Sequence, residues 1–387
     1  MTTQITMVQS HKNLRRLLWL LSPLVPLTAL FYLWAGHHSG HGIWYWALLI
    51  AIYVVVPLGD WLGGLDTSNP QAGEMERMDR DAFYRIIVYA FVPIQIAVVV
   101  LGAWIYASTP LAAWEVAGMA LSVGTVNGLA FIAAHDLLHK KQPVERWLAK
   151  LVLAPTVYGH FFAEHVRGHH KNVATPGDPT SSMMGETFWS YLLRAIVSGV
   201  ASAWRIERER LAREGRSVWS WSNENLHSWA MTAVMFAALS VWLGPGVLVF
   251  LMLQAFYGIV LLEVTNYIEH YGLLRKKLAD GSYERCSPAH AWVSNHVVCT
   301  LFLYQLQRHA DHHIHPSRSY QTLHHHEGTP QLPASYVTLM LVAYLPPLWF
   351  RLMDHRVFQH YRGDLTVAHL DPRKRNALLA RSYGDEA

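Results

Sequence analysis

Charge is scarce in this chain. Asp, Glu, Lys and Arg make up 15% of its 387 residues, against 52% hydrophobic, where a soluble domain carries about a quarter charged residues. Such a composition excludes an ordinary soluble domain and points to an integral membrane protein with a sizeable water-facing part. Cysteine is nearly absent. Cys286 and Cys299 are the two present, and without a CxxC pair they build neither a zinc knuckle nor a disulfide framework. Both are expected to stay reduced, as core residues on the cytoplasmic side. The basic excess is slight, a formal +4 with His neutral, and no nucleic-acid-binding module is recognisable, so a nucleic-acid partner is excluded. Internal repeats and low-complexity linkers are also missing. Lys12, Arg15 and Arg16 precede an apolar run, but that run is long and lacks the small-residue cleavage site of a signal peptide. It reads as an uncleaved first span.

What is present in quantity is apolar sequence, tryptophan (16) and histidine (24). A bilayer crossing needs roughly 20 mainly apolar residues. Six stretches meet this, about 17–36, 42–62, 85–107, 112–134, 228–244 and 247–268. They pair as three hairpins with short tips at Gly36 to Gly42, Ala107 to Ala112 and Gly244-Pro245-Gly246, none of which holds Lys or Arg. The basic residues fall on the opposite side, so the positive-inside rule puts both termini in the cytoplasm. The expected fold is an all-α membrane protein: six transmembrane helices in three hairpins with a helical cytoplasmic cap. Its parts are 1–134 with four spans, a cytoplasmic insertion at 135–226, 227–268 with two spans, and a cytoplasmic block at 269–387. Between spans two and three, Leu62 to Tyr84 reads as a polar loop with one short helix. The alternating charges from Arg205 to Arg216 read as a solvated helix face. Tyr336 to Phe350, short and broken by Pro346-Pro347, reads as an interfacial or re-entrant segment.

The histidines are not scattered. His135 and His139 follow the fourth span, and His270 ends the sixth. His165-Val-Arg-Gly-His169-His170 and His309-Ala-Asp-His312-His313 lie in the two cytoplasmic blocks. On a helix His135 and His139 share one face, as do His165 and His169, while His309, His312 and His313 stand at i, i+3 and i+4. The other histidines, His324-His325-His326 included, read as surface or structural residues. Neutral imidazole is the commonest metal ligand, and these imidazoles exceed what one zinc takes. Imidazole suits iron, copper, nickel and zinc alike. The Glu-x-x-His pairs of soluble di-iron bundles are not seen. A histidine-rich membrane di-iron centre, activating dioxygen, fits the pattern better.

Four segments then carry a resemblance: His135-Asp-Leu-Leu-His139-Lys140, the run from Glu164 to Pro179, Asn266-Tyr-Ile-Glu-His270-Tyr-Gly-Leu273, and Leu306-Gln-Arg-His309-Ala-Asp-His312-His313. With them the chain resembles the integral-membrane non-haem di-iron alkane 1-monooxygenases, from the first span to about Phe350. The Asn-Tyr-Ile-Glu-His-Tyr-Gly stretch sets that family apart from the histidine-box fatty-acid desaturases. The resemblance implies nine ligands to two iron ions: His135, His139, His165, His169, His170, His270, His309, His312 and His313. One departure is visible, since the family's first box usually reads His-Glu-Leu-Gly-His and this chain has Asp136 and Leu138. Carboxylates expected to orient ligands or handle protons are Glu164, Asp178, Glu263, Glu269 and Asp311. Glu263 stands out because it lies inside a span, seven residues before His270, where an ionisable group is a functional hypothesis by default.

The resemblance further implies terminal hydroxylation of a medium-length n-alkane by O2, in a bacterial cytoplasmic (inner) membrane. An alkane dissolves in membrane lipid and offers no hydrogen-bonding handle, so an apolar tunnel must select it. Ile52, Leu129, Ile132 and Leu262 are the expected wall residues. The chain holds no dinucleotide glycine fingerprint, no paired cysteines and no CxxCH haem attachment, so electrons must come from outside. The family uses rubredoxin with an NAD(P)H-dependent rubredoxin reductase, and Arg275, Lys276, Lys277 and Arg318 are candidates for its docking. Competing readings are a xylene-type side-chain hydroxylase, a fatty-acid desaturase, and, outside enzymes, a haem-binding electron carrier or a metal transporter. The last two put polar groups in mid-span, and the span middles here read as nearly free of them.

Overall fold

The computed structural model describes residues 16–381. His11, Lys12 and Arg15 lie outside these residues. Within them the chain is helical, and the only β pairing is in isolated bridges. Six helices are long and apolar enough to cross a bilayer, so this is a multi-pass membrane protein. They are α1 (Leu21–Ser39), α2 (Gly42–Gly63), α4 (Ala82–Ser108), α5 (Ala113–Leu138), α9 (Glu224–Leu243) and α10 (Val247–His270). The other helices are α3 (Ala72–Arg80), α6 (Pro143–Leu153), α7 (residues 161–172), the long but polar α8 (Phe188–Arg213), α11 (Val297–Phe302), α12 (His309–Ile314), α13 (Tyr336–Ala343), α14 (Pro346–His360) and α15 (Arg375–Ala380).

Each long helix follows from an apolar run bounded by a stop. Asp81 caps α4 by accepting from the Phe83 amide at 3.0 Å, and Glu115 closes the start of α5 by accepting from the Ala112 amide at 2.7 Å. With 26 residues, α5 is about 39 Å long, longer than the ~30 Å hydrocarbon core. The surplus keeps His135 on the helix and carries it to the edge of the apolar zone. The sequence reading ended this span at 134, one turn short.

Helices α5 and α10 are the most enclosed of the six and α2 and α9 the least. Small residues let the central pair approach. A Cβ on Gly124 would stand 2.7 Å from the Gln254 carbonyl oxygen, and one on Gly128 would stand 2.6 Å from Leu261 Cδ1. This is the small-xxx-small packing of membrane helices, which gain little from hydrophobic exclusion in lipid and rely on close contact instead.

Three features depart from expectation. First, the span interiors do hold polar groups. Gln95 of α4 donates to Asn127 of α5 at 2.6 Å, and Asn127 donates to Gln254 of α10. Gln95 and Gln254 also donate to the carbonyls of Val152 and Pro155. All are buried, so the amides pair with one another where water is absent. Second, those carbonyls belong to the end of α6 and its following turn. The segment from 135 to 226 therefore begins by folding back against the bundle rather than standing apart as an insertion. Third, Glu207 lies in the Arg205 to Arg216 run but is fully buried, paired with Arg167 at 2.8 Å and Arg210 at 2.7 Å. That face of α8 is an internal ion-pair hub, not a solvated surface. Helices α13 and α14 pack beside α10, with Trp349 buried against Tyr267 and Tyr271. The cysteines are free, and Cys299 is buried.

Candidate metal centre

The nine histidines singled out from the sequence converge on one place. They form two groups, His135, His139, His165, His170 and His312 in one, and His169, His270, His309 and His313 in the other, with ligand atoms within 4.8 Å of one another in each group. Helix α5 delivers His135 from its last turn and His139 as the residue that caps it, α10 delivers His270 as its last residue, and α7 and α12 supply the rest.

The division into five and four is not the one helical spacing suggests. Helix α7 starts regularly over Phe161–Glu164, widens into a π turn over His165–His169, and resumes at His170–Asn172. A π turn bonds i to i+5 and is frequent at functional sites. It pairs His165 with His170, whose Nε2 atoms stand 3.1 Å apart, and turns His169 to the other group. The expected shared face of His165 and His169 is thus corrected. In α12, His309 and His313 stay together, with Nε2 atoms 2.8 Å apart, while His312 reaches His170 across the gap at 3.0 Å.

Helix α12 is held from outside. The buried Arg308 donates to the carbonyls of Leu323 at 2.7 Å and of Asp66 and Ser68 at 3.0 Å. Gln307 donates to the His296 carbonyl and the Thr300 hydroxyl and accepts from the Tyr336 amide. Sequence reasoning counted both in the histidine-box motif but gave neither a role. Their signal was an Arg and a Gln directly before a histidine box.

Burial, reinforced by neighbouring imidazoles, holds His139, His165, His170, His309, His312 and His313 well below the usual imidazole range. They are neutral near pH 7, the form that ligates a metal. Buried ring nitrogens of His135, His139, His169, His170, His270, His309 and His313 have no hydrogen-bond partner. A buried orphan polar atom is costly, and for His135, His139, His169 and His270, whose orphan atom is Nε2, a cation between the rings relieves it. Ligands ~2.1 Å from an ion at right angles stand about 3 Å apart, as the facing nitrogens do. The donor set therefore fits two metal ions.

The carboxylates divide. Asp178 Oδ2 lies 3.0 Å from His169 Nδ1 and accepts from the Ser181 hydroxyl at 2.6 Å, the acid–imidazole arrangement that fixes a ligand's tautomer and orientation. The Thr180 hydroxyl, 2.8 Å from the same nitrogen, was missed, as was the His290 carbonyl, 3.2 Å from His270 Nδ1. A backbone carbonyl leaves no sequence signal. Glu269 Oε2 stands 3.3 Å from His309 Nε2. The other three serve elsewhere. Asp311 grips Arg318 at 2.6 Å and His326 at 2.7 Å, pinning its own loop. Glu164 meets the Ser202 hydroxyl at 3.4 Å. Glu263 does not turn to the histidines: it accepts from Tyr158 at 2.8 Å, Tyr191 at 3.0 Å and Asn266 at 3.3 Å, which makes it the partner of polar groups on neighbouring elements. Asp136 pairs with Lys140 at 3.2 Å. Of the four cations considered for docking, Arg318 is taken by Asp311, and Arg275 is buried, donating to the Lys171 and Glu284 carbonyls. Lys276 and Lys277 are exposed.

Comparison with known proteins decides which chemistry this centre belongs to. A family profile described as fatty acid desaturase matches residues 112–343. Alkane 1-monooxygenase 1 of Alcanivorax borkumensis is 45% identical over 365 residues, covering 94% of this chain and 90% of its own. Alkane 1-monooxygenase of Ectopseudomonas oleovorans is 43% identical over 368 residues, 95% and 92% of the two chains. The chain belongs to the alkane 1-monooxygenase family. The xylene/toluene monooxygenase hydroxylase component of Pseudomonas putida is more distant, 29% identical over 245 residues, 62% of this chain and 63% of that one.

In this alkane monooxygenase family member an apolar cavity abuts the histidines. Its wall is built from α2 (Ile52, Tyr53), α5 (Thr125, Leu129, Ile132), α10 (Leu261, Leu262), α11 (Phe302) and α13 (Val337, Met340), and it includes His135, His165, His309 and Glu269. Ile52, Leu129, Ile132 and Leu262, chosen from sequence as wall residues, all line it. Ile52 and Tyr53 sit in a second π turn, Ala51–Val55. Both π turns of the described residues thus face this site.

Proposed function

We propose that the protein is an alkane 1-monooxygenase acting on the terminal methyl of medium-length n-alkanes to give 1-alkanols. The observation that carries the reading is a cavity with mainly apolar walls, lying among spans α2, α5 and α10 and ending on the two histidine groups. From Thr125 to His135 is ten residues along α5, about 15 Å. An extended chain advances roughly 1.2 Å per bond, so about a dozen carbon–carbon bonds fit. A linear hydrocarbon drawn from the bilayer needs no polar handle, and each buried methylene contributes about 0.8 kcal/mol.

Two non-haem iron ions are the metals we assign. His135, His139, His165, His170 and His312 would hold one, and His169, His270, His309 and His313 the other. Iron, when bound, supplies reductive activation of O2. The chain's own part is positional. Asp178 and Thr180 fix the His169 ring, the His290 carbonyl fixes His270, and the apolar wall excludes water from the methyl end. Glu269, the carboxylate of the cavity wall, is placed to hold a proton at the substrate end of the site, beside His309. The overall change consumes one O2, two electrons and two protons, and releases water. The electrons are assigned to reduced rubredoxin, kept reduced by its NAD(P)H-dependent reductase, approaching from the face that bears Lys276 and Lys277. The reading places the protein in a bacterial cytoplasmic membrane, with the centre and both termini on the cytoplasmic side.

The test is product analysis. Membranes holding the protein receive rubredoxin, its reductase, NADH and a series of n-alkanes, with His312→Ala as control. The expected result is 1-alkanols from the parent and none from the variant. Desaturated lipid or oxidised methylarenes with no alkanol would instead support the desaturase or xylene-type reading.

A further inference from the structure

Helix α8 is polar as a whole, but its charge gathers in the second half. Residues 188–204 hold a single charged side chain, Arg194. It turns inward, bonded to Glu186 at 2.7 Å and to the carbonyls of Pro179 and Ser181. The outward face of this half is apolar. Trp189, Leu193, Val197 and Val200 stand at helical spacing on one stripe, and Leu193 and Val197 are 69% and 70% exposed. After Trp204 the exposed face changes to Arg205, Arg208, Glu209 and Arg213. Beside the start of α8 lies a second exposed apolar group, Leu341, Leu345 and Leu348, at the turn from α13 to α14. Trp189 joins the two. Its ring stacks on Tyr344 at 5.7 Å, and its indole N–H donates to the Tyr344 carbonyl at 3.1 Å.

Depth decides what covers this surface. Helix α10 has 24 residues, about 36 Å, against a hydrocarbon core of ~30 Å. Glu263 lies seven residues before its end, about 10 Å, so it stays within the core of an upright span even with all the surplus length at that end. Tyr191 of α8 donates to Glu263 at 3.0 Å, and the rings of Tyr191 and Phe188 lie 5.3 and 5.7 Å from that of Tyr267. Helix α8 thus begins at the level of the last two turns of α10. Its second half meets the start of span α9, where Asn225 donates to the Ala203 carbonyl at 3.0 Å and the Glu224 amide to Glu207 at 2.8 Å. The apolar stripe lies between these two levels.

We infer that residues 188–201 and the α13–α14 turn are docked in lipid: acyl chains of the leaflet on the histidine side cover the stripe from Trp189 to Val200, and α8 leaves the membrane at Trp204. An exposed apolar patch of this kind marks an interaction surface, and its place at span depth names lipid as the occupant. The end of the stripe agrees. Trp204 packs with Trp219 and Trp229 at 5.1 and 6.0 Å, and Trp rings favour the headgroup level. Arg205 and Arg208 follow directly, where a charged head reaches water and anionic headgroups while its stem covers apolar surface. A helix with one apolar and one charged part lies in the interface in this way without spanning it. The segment from 135 to 226, expected to be cytoplasmic throughout, is then partly immersed. So is the flank of α7, which carries three of the histidines and is tied to α8 by Arg167 and Glu207.

The test uses the full chain in a bilayer of phosphatidylcholine and phosphatidylglycerol. A photoactivated carbene probe carried in the lipid tails marks the unmodified protein, and adducts are mapped by mass spectrometry. Expected are adducts within residues 188–201 and at Leu345, as on the spans, and none within residues 205–216. Marked spans with an unmarked 188–201 segment overturn the inference. Spin labels at Leu193→Cys, Val197→Cys and Arg208→Cys give a second reading, in a Cys286→Ser background that keeps the buried Cys299. Leu193 and Val197 point outward, so cysteine there removes no internal packing. Oxygen concentrates in lipid and a nickel chelate stays in water. The oxygen-to-chelate collision ratio is expected to be several-fold higher at the first two positions than at the third. An equal ratio puts the stripe in water and overturns the inference. Shielding of the first two labels from both agents overturns it as well, since a protein partner or a second copy then covers the face. Turnover enters neither measurement, so this inference and the proposed function stand or fall separately.

Discussion

Replacing Leu129 by Trp tests whether the cavity sets substrate length. Leu129 lines the wall six residues before His135, about 9 Å along α5. An indole there leaves room for about seven bonds of an extended chain instead of a dozen. A longer alkane loses burial of roughly five methylenes, about 4 kcal/mol at 0.8 kcal/mol each. At 1.4 kcal/mol per tenfold, that is a 10²- to 10³-fold drop in kcat/KM. An alkane short enough to fit below the indole keeps its contacts. Packing strain from the larger side chain, ~1–3 kcal/mol, bears on every substrate alike and cancels in the ratio of long to short. The assay is gas chromatography of 1-alkanols from a mixed alkane series, with metal content measured on the same sample. A ratio that stays at the parent value in a protein with full metal content would refute the cavity as the substrate tunnel.

Other outcomes follow from the same geometry. Asp178→Asn removes the acid at His169 Nδ1, so one ion of the pair is expected to bind 10–100-fold more weakly; chelator titration followed by metal analysis reads this as one ion leaving well before the other. Gly124→Ala puts a Cβ 2.7 Å from the Gln254 carbonyl oxygen, and the resulting overpacking, ~1–3 kcal/mol, outweighs the helix gain of about 0.5–1 kcal/mol over Gly, which a lower thermal midpoint in detergent would show. Burial pushes the Asp354 carboxyl up to about 6, against the Tyr271 hydroxyl and Arg381. Its ordinary value is about 3.9, so between pH ~4 and ~6 the folded state binds the extra proton and stability falls as pH rises. The amplitude is about 3 kcal/mol, and Asp354→Asn should flatten that part of the pH–stability curve relative to the parent.

The two levels of description contribute differently. Chain composition and period were enough for the six crossings and for the histidines gathered at one end of them, because apolar length and residue identity are local properties. Ile52, Leu129, Ile132 and Leu262 line the cavity for a related reason: they lie on spans whose ends carry the histidines or stand beside them. Glu263 shows the limit. Seven residues before His270 puts it on a similar face of α10, yet the side chain's partner depends on what packs there, and Tyr158 and Tyr191 come from distant parts of the chain. The polar tie of Gln95, Asn127 and Gln254 was invisible for the same reason, since three separated amides look like isolated exceptions until packing joins them.

The sequence by itself determined which side chains are available: nine spaced imidazoles, six apolar spans, and too few cysteines for a thiolate-ligated centre. Only the tertiary structure decided how those imidazoles divide. A period of 3.6 residues pairs His165 with His169, and the π turn over His165–His169 pairs His165 with His170 instead. That extra residue in one turn is accommodated by packing around α7, which sequence periodicity does not encode. Tertiary packing also decided that Arg275 and Arg318 face inward, and that the hydroxyls of Tyr53 and Tyr257, far apart in the chain, meet. Long-range neighbours arise from how helices cross, and crossing is set by the whole set of side chains at the contact.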